Sequence, residues 1–305
     1  MGTKLAAAAA AVLLVAGAAA TTDDGPSMAD LELLRVPREE IPPGEAELAD
    51  KLQLARALIL GGKPAEALDV LDDVMARDLA GTFTFEVLYY KGFALDSLGR
   101  YDAALTNYEE ALKERPGDAT ILLAMGQALL DNGRDDDARR TFEQVLAKNA
   151  DDSQALTGLA YLDLKAGNMD EARAKLERAL AADRDNALAM SYLGLVEMNA
   201  RKYELARAHL ENAVALKPDN LTANYNLAGI YFMQGEYAGA EKHYRRVLER
   251  KPGDGEARYY LALALEAQGR YKEAIAEADK IVQSGAVVDG LVEMLDRLQR
   301  RVGGK

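Results

Sequence analysis

The sequence predicts an all-α chain assembled as a solenoid of short stacked helix pairs, on three observations. A 34-residue stretch, Phe85 to Asp118, recurs without slippage from Ala119, Ser153, Ala187, Leu221 and Gly255. An internal period of that length marks stacked helical repeats. Within the stretch, Leu88, Gly92 and Leu95 share one helical face, and Ala104, Tyr108, Ala111 and Leu112 share another. Gly99 sits at the turn between them and Pro116 stops the second. Finally, Ala, Leu, Glu, Lys and Arg dominate, a composition of helix formers. The 305 residues, 49% hydrophobic and 29% charged, supply a core that runs along the repeats rather than filling one globule.

In chain order, residues 1–20 place one lysine before an apolar run that closes on Ala18-Ala19-Ala20. The pattern predicts a secretory (Sec-type) signal peptide cut before Thr21; the apolar run is short for a membrane span, and an uncleaved N-terminal anchor is the alternative. No cysteine follows the run, so a bacterial lipoprotein is not expected. Removing Lys4 leaves 36 basic and 50 acidic residues, a mature charge of −14. Residues 21–47 form a Pro-containing linker leading to the first repeat; it carries one short helical turn near Met28–Leu34, whose Leu31, Leu33 and Leu34 are candidates to dock on the first repeat or on another protein.

Seven copies of the repeat follow, at 48–81, 85–118, 119–152, 153–186, 187–220, 221–254 and 255–288, with Thr82 to Thr84 inserted after the first. Position 8 of each is small: Ala55, Gly92, Gly126, Ala160, Gly194, Ala228 and Ala262. Position 20 is alanine in every copy, and position 24 is bulky in six (Leu71, Tyr108, Phe142, Leu176, Leu210, Tyr244) and Ala278 in the last. A large knob beside a small hole suits interdigitated packing. Helices of about twelve to fourteen residues are marginal alone, so each must be held by its neighbours. Residues 289–305 predict a capping helix and tail, with Asp289 as N-cap and a stripe of Leu291, Leu295, Leu298 and Val302.

This pattern resembles the tetratricopeptide repeat (TPR) family over residues 48–288. The matching features are the small position 8, Ala at 20, an aromatic or Leu at 24, a small or aliphatic residue at 27 and Pro116, Pro218 and Pro252 at position 32. The family's tryptophan at position 4 is replaced throughout, for example by Leu88, Leu122, Leu156 and Met190. The resemblance implies a right-handed superhelical α-solenoid of about seven TPR helix-turn-helix repeats plus a C-terminal capping helix. It also implies a concave groove lined by first helices at positions 2, 5, 9, 12 and 13. Mapped here, the peptide-binding groove comprises Tyr89, Phe93, Leu123, Gln127, Tyr161, Leu195, Met198, Tyr225, Gly229, Phe232, Met233, Tyr259 and Leu263, with Leu130 and Leu164 alongside. Gly229, between Tyr225 and Phe232, would leave a gap for one apolar anchor of a partner. Ordinary packing is the competing reading for any one of these side chains, whereas a long apolar strip marks an interaction site. The pairs at positions 5 and 9, such as Tyr89/Phe93 and Leu123/Gln127, never supply the Lys and Asn of family members that clamp chaperone carboxylates.

The remaining chemistry is sparse. His209 and His243, the two histidines, occupy position 23 of adjacent copies and are expected to be solvated, one repeat step being too long for shared metal ligation. Asp131, Asp135, Asp136 and Asp137 lack the spacing of a calcium loop and suit the start of a helix. There is no GxxxxGK[ST], HExxH or GxSxG motif, and no Cys for a thiol nucleophile or disulfide. No enzyme, cofactor or metal is therefore expected. A formal charge of −13 disfavours nucleic acid. The expected protein is an exported, periplasmic or secreted scaffold for protein–protein interaction. It holds a protein or peptide partner in the groove, in a cell-envelope assembly such as a secretion, pilus or polysaccharide-export machine. A periplasmic chaperone or carrier of apolar or unfolded clients is the alternative.

Overall fold

The computed structural model describes residues 45–303; the expected signal peptide, the linker up to residue 44 and the last two residues lie outside the described residues. The described residues form fifteen α-helices and no strand: α1 (Ala46–Leu60), α2 (Pro64–Arg77), α3 (Thr84–Ser97), α4 (Tyr101–Glu114), α5 (Ala119–Asp131), α6 (Asp135–Lys148), α7 (Ser153–Ala166), α8 (Met169–Ala182), α9 (Ala187–Asn199), α10 (Tyr203–Leu216), α11 (Leu221–Met233), α12 (Tyr237–Arg250), α13 (Gly255–Ala267), α14 (Tyr271–Ser284) and α15 (Leu291–Val302). They fall into two compact units, residues 45–166 (α1–α7) and residues 167–303 (α8–α15). The division lies inside the span 153–186 of the repeat register.

In the N-terminal unit consecutive helices pack on one another, and the first helices also meet along the stack, α1 on α3, α3 on α5 and α5 on α7. The knob-and-hole expectation holds in detail. A Cβ added at Gly92 would sit 2.5 Å from the Tyr108 ring, and one at Gly126 would sit 2.6 Å from Phe142. Phe142 also lies against the next first helix, where a Cβ at Gly158 would come within 2.5 Å of it. The C-terminal unit repeats the device with Gly194 under Leu210, at 2.7 Å. Each position-24 side chain is 3% exposed or less.

Helix starts alternate between two solutions. The first helices are capped by side chains at position 34 of the preceding copy. The carboxylate or amide oxygen of Asp118, Asp152, Asn186, Asn220 or Asp254 accepts from a first-turn N–H at 2.8–3.0 Å, satisfying donors that the helix leaves open. At the three-residue insertion the preceding, buried Asp78 performs a related task, accepting from the Thr82 and Phe83 N–H groups at 2.8 Å each. The second helices start without a side-chain cap, straight from a turn that demands a left-handed residue. Glycine meets that demand six times, from Gly62 to Gly269 at φ of 69–81°, and Arg201, at φ 60°, stands in the seventh turn.

At the C-terminal end α15 packs on α14. Its buried stripe is Leu291, Met294 and Leu298, while Val302 remains 44% exposed, so Met294 takes the place expected of Val302. The N-cap is Gly290 rather than Asp289, because the chain turns at φ 80° directly under the Tyr259 hydroxyl, where a Cβ would lie 2.7 Å from that oxygen. Arg297 donates to both Glu266 oxygens at 2.7 and 2.8 Å, tying the cap to α13.

Candidate peptide-binding face

The side chains at the mapped positions stand on first helices, and the two units are described separately. In the N-terminal unit Tyr89 and Phe93 on α3, Leu123 on α5 and Tyr161 on α7 share one apolar cluster. Tyr89 is fully buried, its ring centroid 5.5 Å from that of Tyr90 and 6.1 Å from that of Tyr108. Phe93 and Leu130 are buried, whereas Leu123, Gln127, Tyr161 and Leu164 are half-buried. The Gln127 amide donates to Asp131 at 3.2 Å. The Lys165 ammonium lies 5.9 Å from the Tyr161 ring and donates to Asp135 at 2.7 Å.

In the C-terminal unit Tyr225 and Phe232 on α11 join Tyr259 and Leu263 on α13 in one cluster, and Met198 and Met233 meet in another. Tyr225 belongs to a triad of rings: Tyr244 at 5.8 Å, Tyr260 at 6.4 Å, and Tyr244 stacked on Tyr260 at 5.8 Å and 18°. Burial, then the neighbouring Tyr244 and Tyr260, pushes the Tyr225 hydroxyl far above its ordinary range. Phe232 packs edge-on against Tyr237 at 5.4 Å. Leu195, Met198, Leu263 and Gly229 are buried, while Met233 and Tyr259 are half-buried.

Polar connections between copies were missing from the expectation, although two positions announce them. Arg at position 21 meets an acid at position 11 of the next copy: Arg139 with Asp163 at 3.1 Å, and Arg173 with the buried Glu197. In the next step Arg207 lies 4.5 Å over the Tyr231 ring instead, and Tyr231 donates its hydroxyl proton to Glu211 at 2.9 Å. His243 departs from the solvated reading. It is 6% exposed, stacked on Tyr231 at 5.5 Å, and its Nδ1 lies 2.8 Å from the Asn224 amide oxygen. Burial, reinforced by Lys242, lowers His243 to about 4. His209 is half-buried, and burial lowers it as well. Asp135 and Asp137 are ion-paired, with Lys165 and with Arg134 and Arg140. Among the described residues no group of three His, Cys, Asp or Glu is placed to hold a metal ion, and no helix is long and apolar enough to cross a membrane.

Family profiles described as tetratricopeptide repeat match residues 52–119, 192–255 and 234–287 in one form and 97–162 and 138–193 in another. The chain belongs to the tetratricopeptide repeat family. A TPR protein from Parabacteroides merdae ATCC 43184 superposes with a TM-score of 0.56 at 18% identity, over 83% of this chain and 98% of that one. A thermophilic TPR protein of Thermus thermophilus gives 0.50 at 28% identity, over 59% and 98%. PilW, a type IV pilus biogenesis factor, gives 0.55 at 18% identity, over 69% and 98%. At 18% identity the first and third show a common TPR fold and nothing finer. No curated protein matches the chain.

Proposed function

We propose that the chain is a non-catalytic scaffold, exported to the cell envelope, that captures segments of partner proteins on its first-helix face. TPR arrays offer extended binding surfaces because each copy contacts only its neighbours and leaves one helix of the pair facing outward along the stack. The observation that carries the reading is a division of labour between helices. Second helices bury their large side chains against small holes, whereas first helices keep Leu123, Gln127, Tyr161 and Leu164, and separately Met233 and Tyr259, half-buried at repeat-equivalent places. Such amphipathic and aromatic groups make effective anchors once a partner removes the remaining water. Export is supported by the lysine, apolar run and Ala18-Ala19-Ala20 of the first twenty residues.

Tyr225 and Phe232, only 5% and 4% exposed, are poor residues for testing capture, because truncating them also empties the core. Tyr161 is the better probe. A photo-crosslinking residue in place of Tyr161 should trap a partner in the intact host, and Tyr161→Ala with Leu164→Ala should abolish capture while helicity is retained. Unchanged capture by that double variant would remove the first-helix face from the account. The exported material should begin at Thr21 by intact mass; a full-length mass in the membrane fraction would favour the anchor.

A further inference from the structure

The first helix of the N-terminal unit has one face that every later first helix keeps covered. In that unit α2 packs on α3, α4 on α5 and α6 on α7, so each of these first helices lies under a preceding second helix. Residues on the covered side are buried: Leu159, Leu193, Leu227 and Leu261 at position 7 are 1–5% exposed, and Ala94, Ala128 and Ile230 at position 10 are fully buried. No described second helix precedes α1. Its position-7 residue, Leu54, is 51% exposed; Ala57 and Gly61 are exposed beside it, and Leu58 is half-buried. The start of this face is polar, because Asp50 stands exposed where later copies bury Val87 or Ile121. The open apolar stretch therefore runs from Leu54 to Gly61. The last copy of the C-terminal unit is closed by α15, which buries Leu291, Met294 and Leu298.

Seams between copies keep a fixed register. A second-helix residue meets the residue 24 places later, as Arg139 meets Asp163 at 3.1 Å. Steps of 27 and 30 places also recur: Arg207 donates to Gln234 at 2.8 Å, and Asn132 donates to Asp102 at 3.3 Å. Apolar pairs use the first step too, since Leu105 stands 24 places before Leu129 and both are buried in one cluster. Counted back from the open face, these steps converge. Leu34 stands 24 places before Leu58 and 27 before Gly61, and Leu31 stands 30 before Gly61. Both leucines belong to Met28–Leu34, the densest apolar run between residues 21 and 44, which lies outside the described residues.

We infer that the chain's own Met28–Leu34 segment covers the open face of α1, setting Leu34 against Leu58 and Leu31 against Gly61. Leu54, one turn from Leu58 on the same face, is shielded with it. The ten residues 35–44 span up to about 33–36 Å, whereas the fifteen-residue α1 is about 22 Å long. The connection therefore reaches the far end of the helix, where Leu58 and Gly61 lie. So short a tether also holds the segment at an effective concentration of order millimolar, which favours it over a separate partner or a second copy. The segment does for the N-terminal unit what α15 does for the C-terminal one. The inference is independent of peptide capture, which uses the first-helix face rather than the end.

The chain has no cysteine, so two introduced thiols report only on each other. In the full chain carrying Leu34→Cys with Leu58→Cys, oxidised glutathione should close an intramolecular disulfide about tenfold faster than in Leu34→Cys with Leu79→Cys. A disulfide needs Cα atoms within about 7 Å. Leu79 is 95% exposed and follows α2, whose Arg77 pairs with Glu47 at the opposite end of α1 from Leu58. Non-reducing electrophoresis and peptide mass read the closure. Equal rates in the two variants would overturn the inference. A disulfide-linked dimer forming first would overturn it in favour of a second copy, and no disulfide in either variant would leave the face to a separate protein. Should the cysteine variants fail to fold by circular dichroism, amide exchange decides. Leu31→Ser with Leu34→Ser should speed exchange in α1 about tenfold and leave α5 unchanged; unaltered exchange in α1 would sink the inference.

Discussion

The two units are written in one 34-residue pattern, yet they differ in net charge and in the ionisable groups they withdraw from water. Residues 45–166 carry a net charge of −10, whereas residues 167–303, with 21 acidic and 20 basic residues, carry −1. In the C-terminal unit each buried acid has a cation: Glu197 has Arg173, and Glu277 has Arg258 at 2.8 Å. In the N-terminal unit the buried Glu86 and Asp163 are paired likewise, with Arg115 and Arg139, while the half-buried Asp96 has no cation among the described residues. The C-terminal unit instead buries a histidine, held neutral among Tyr231 and Asn224. The difference teaches that a repeat period sets helix packing and leaves the charge of each copy free to diverge.

The largest expected effect concerns the ring triad of the C-terminal unit. Tyr244 is fully buried between Tyr225 and Tyr260, so Tyr244→Ala should cost about 3–5 kcal/mol. Amide exchange should accelerate in α11, α12 and α13; undiminished protection there would break the claim that this unit is cored on aromatics.

Next in size is a contrast in acid response. His243 is lowered from 6.5 to about 4. Between those pH values the unfolded chain binds a proton that the folded unit refuses, so stability is full above pH 6.5 and lost as pH falls through the window. The loss amounts to roughly 3 kcal/mol at most. Asp96, raised from 3.8 to about 7 by burial and Asp131, works in reverse. Its folded form holds the proton, so its contribution is present at low pH and is lost as pH rises toward 7. Partial solvent access reduces this to about 1–2 kcal/mol. Exchange protection followed from pH 4 to 8 should therefore weaken on acidification around α11–α12 and on alkalinisation around α3. His243→Gln should flatten the first trend and Asp96→Asn the second; parallel trends in both regions would erase the contrast.

The smallest effect is a gain. Arg201 holds the left-handed turn that glycine holds in the other six copies, a conformation costing an ordinary residue about 1–2 kcal/mol. Arg201→Gly should stabilise the C-terminal unit by about 0.5–1 kcal/mol net of the entropy that glycine adds to the unfolded chain. A lower melting temperature would instead show that the Arg201 side chain makes a contact worth more than its strain.

Much of the architecture was readable from the residues because it depends on volume and period. Gly92 against Tyr108 and Gly126 against Phe142 need one small and one large side chain at fixed spacing, and that information is local. The caps were equally available: Asp or Asn stands at position 34 in five copies, a signal that the helix-pair reading passed over. The Arg139–Asp163 and Arg173–Glu197 ties were legible as a step from position 21 to position 11 of the next copy. Other features depend on what lies opposite. The sequence shows His243 in a polar-looking place, yet Tyr231 and Asn224, from a neighbouring helix, close over it. Asp289 looked like a cap until the Tyr259 hydroxyl required a residue without a side chain at Gly290. The mapped peptide-binding residues are distinguished only by depth: Tyr225 and Tyr161 occupy like faces, and the ring triad buries the first while the second stays half-open.

Phe142 belongs to two modules at once, since its ring fills the recesses at both Gly126 and Gly158. At the place of Gly158 the other tandem copies carry Tyr90, Ala124, Tyr192, Asn226 or Tyr260, and Tyr260 stacks beside the equivalent ring, Tyr244, instead of receiving it in a recess. A cassette swapped in across that seam would meet Phe142 without its second recess, so the ring would have to repack, and side-chain size ties each module to its neighbour.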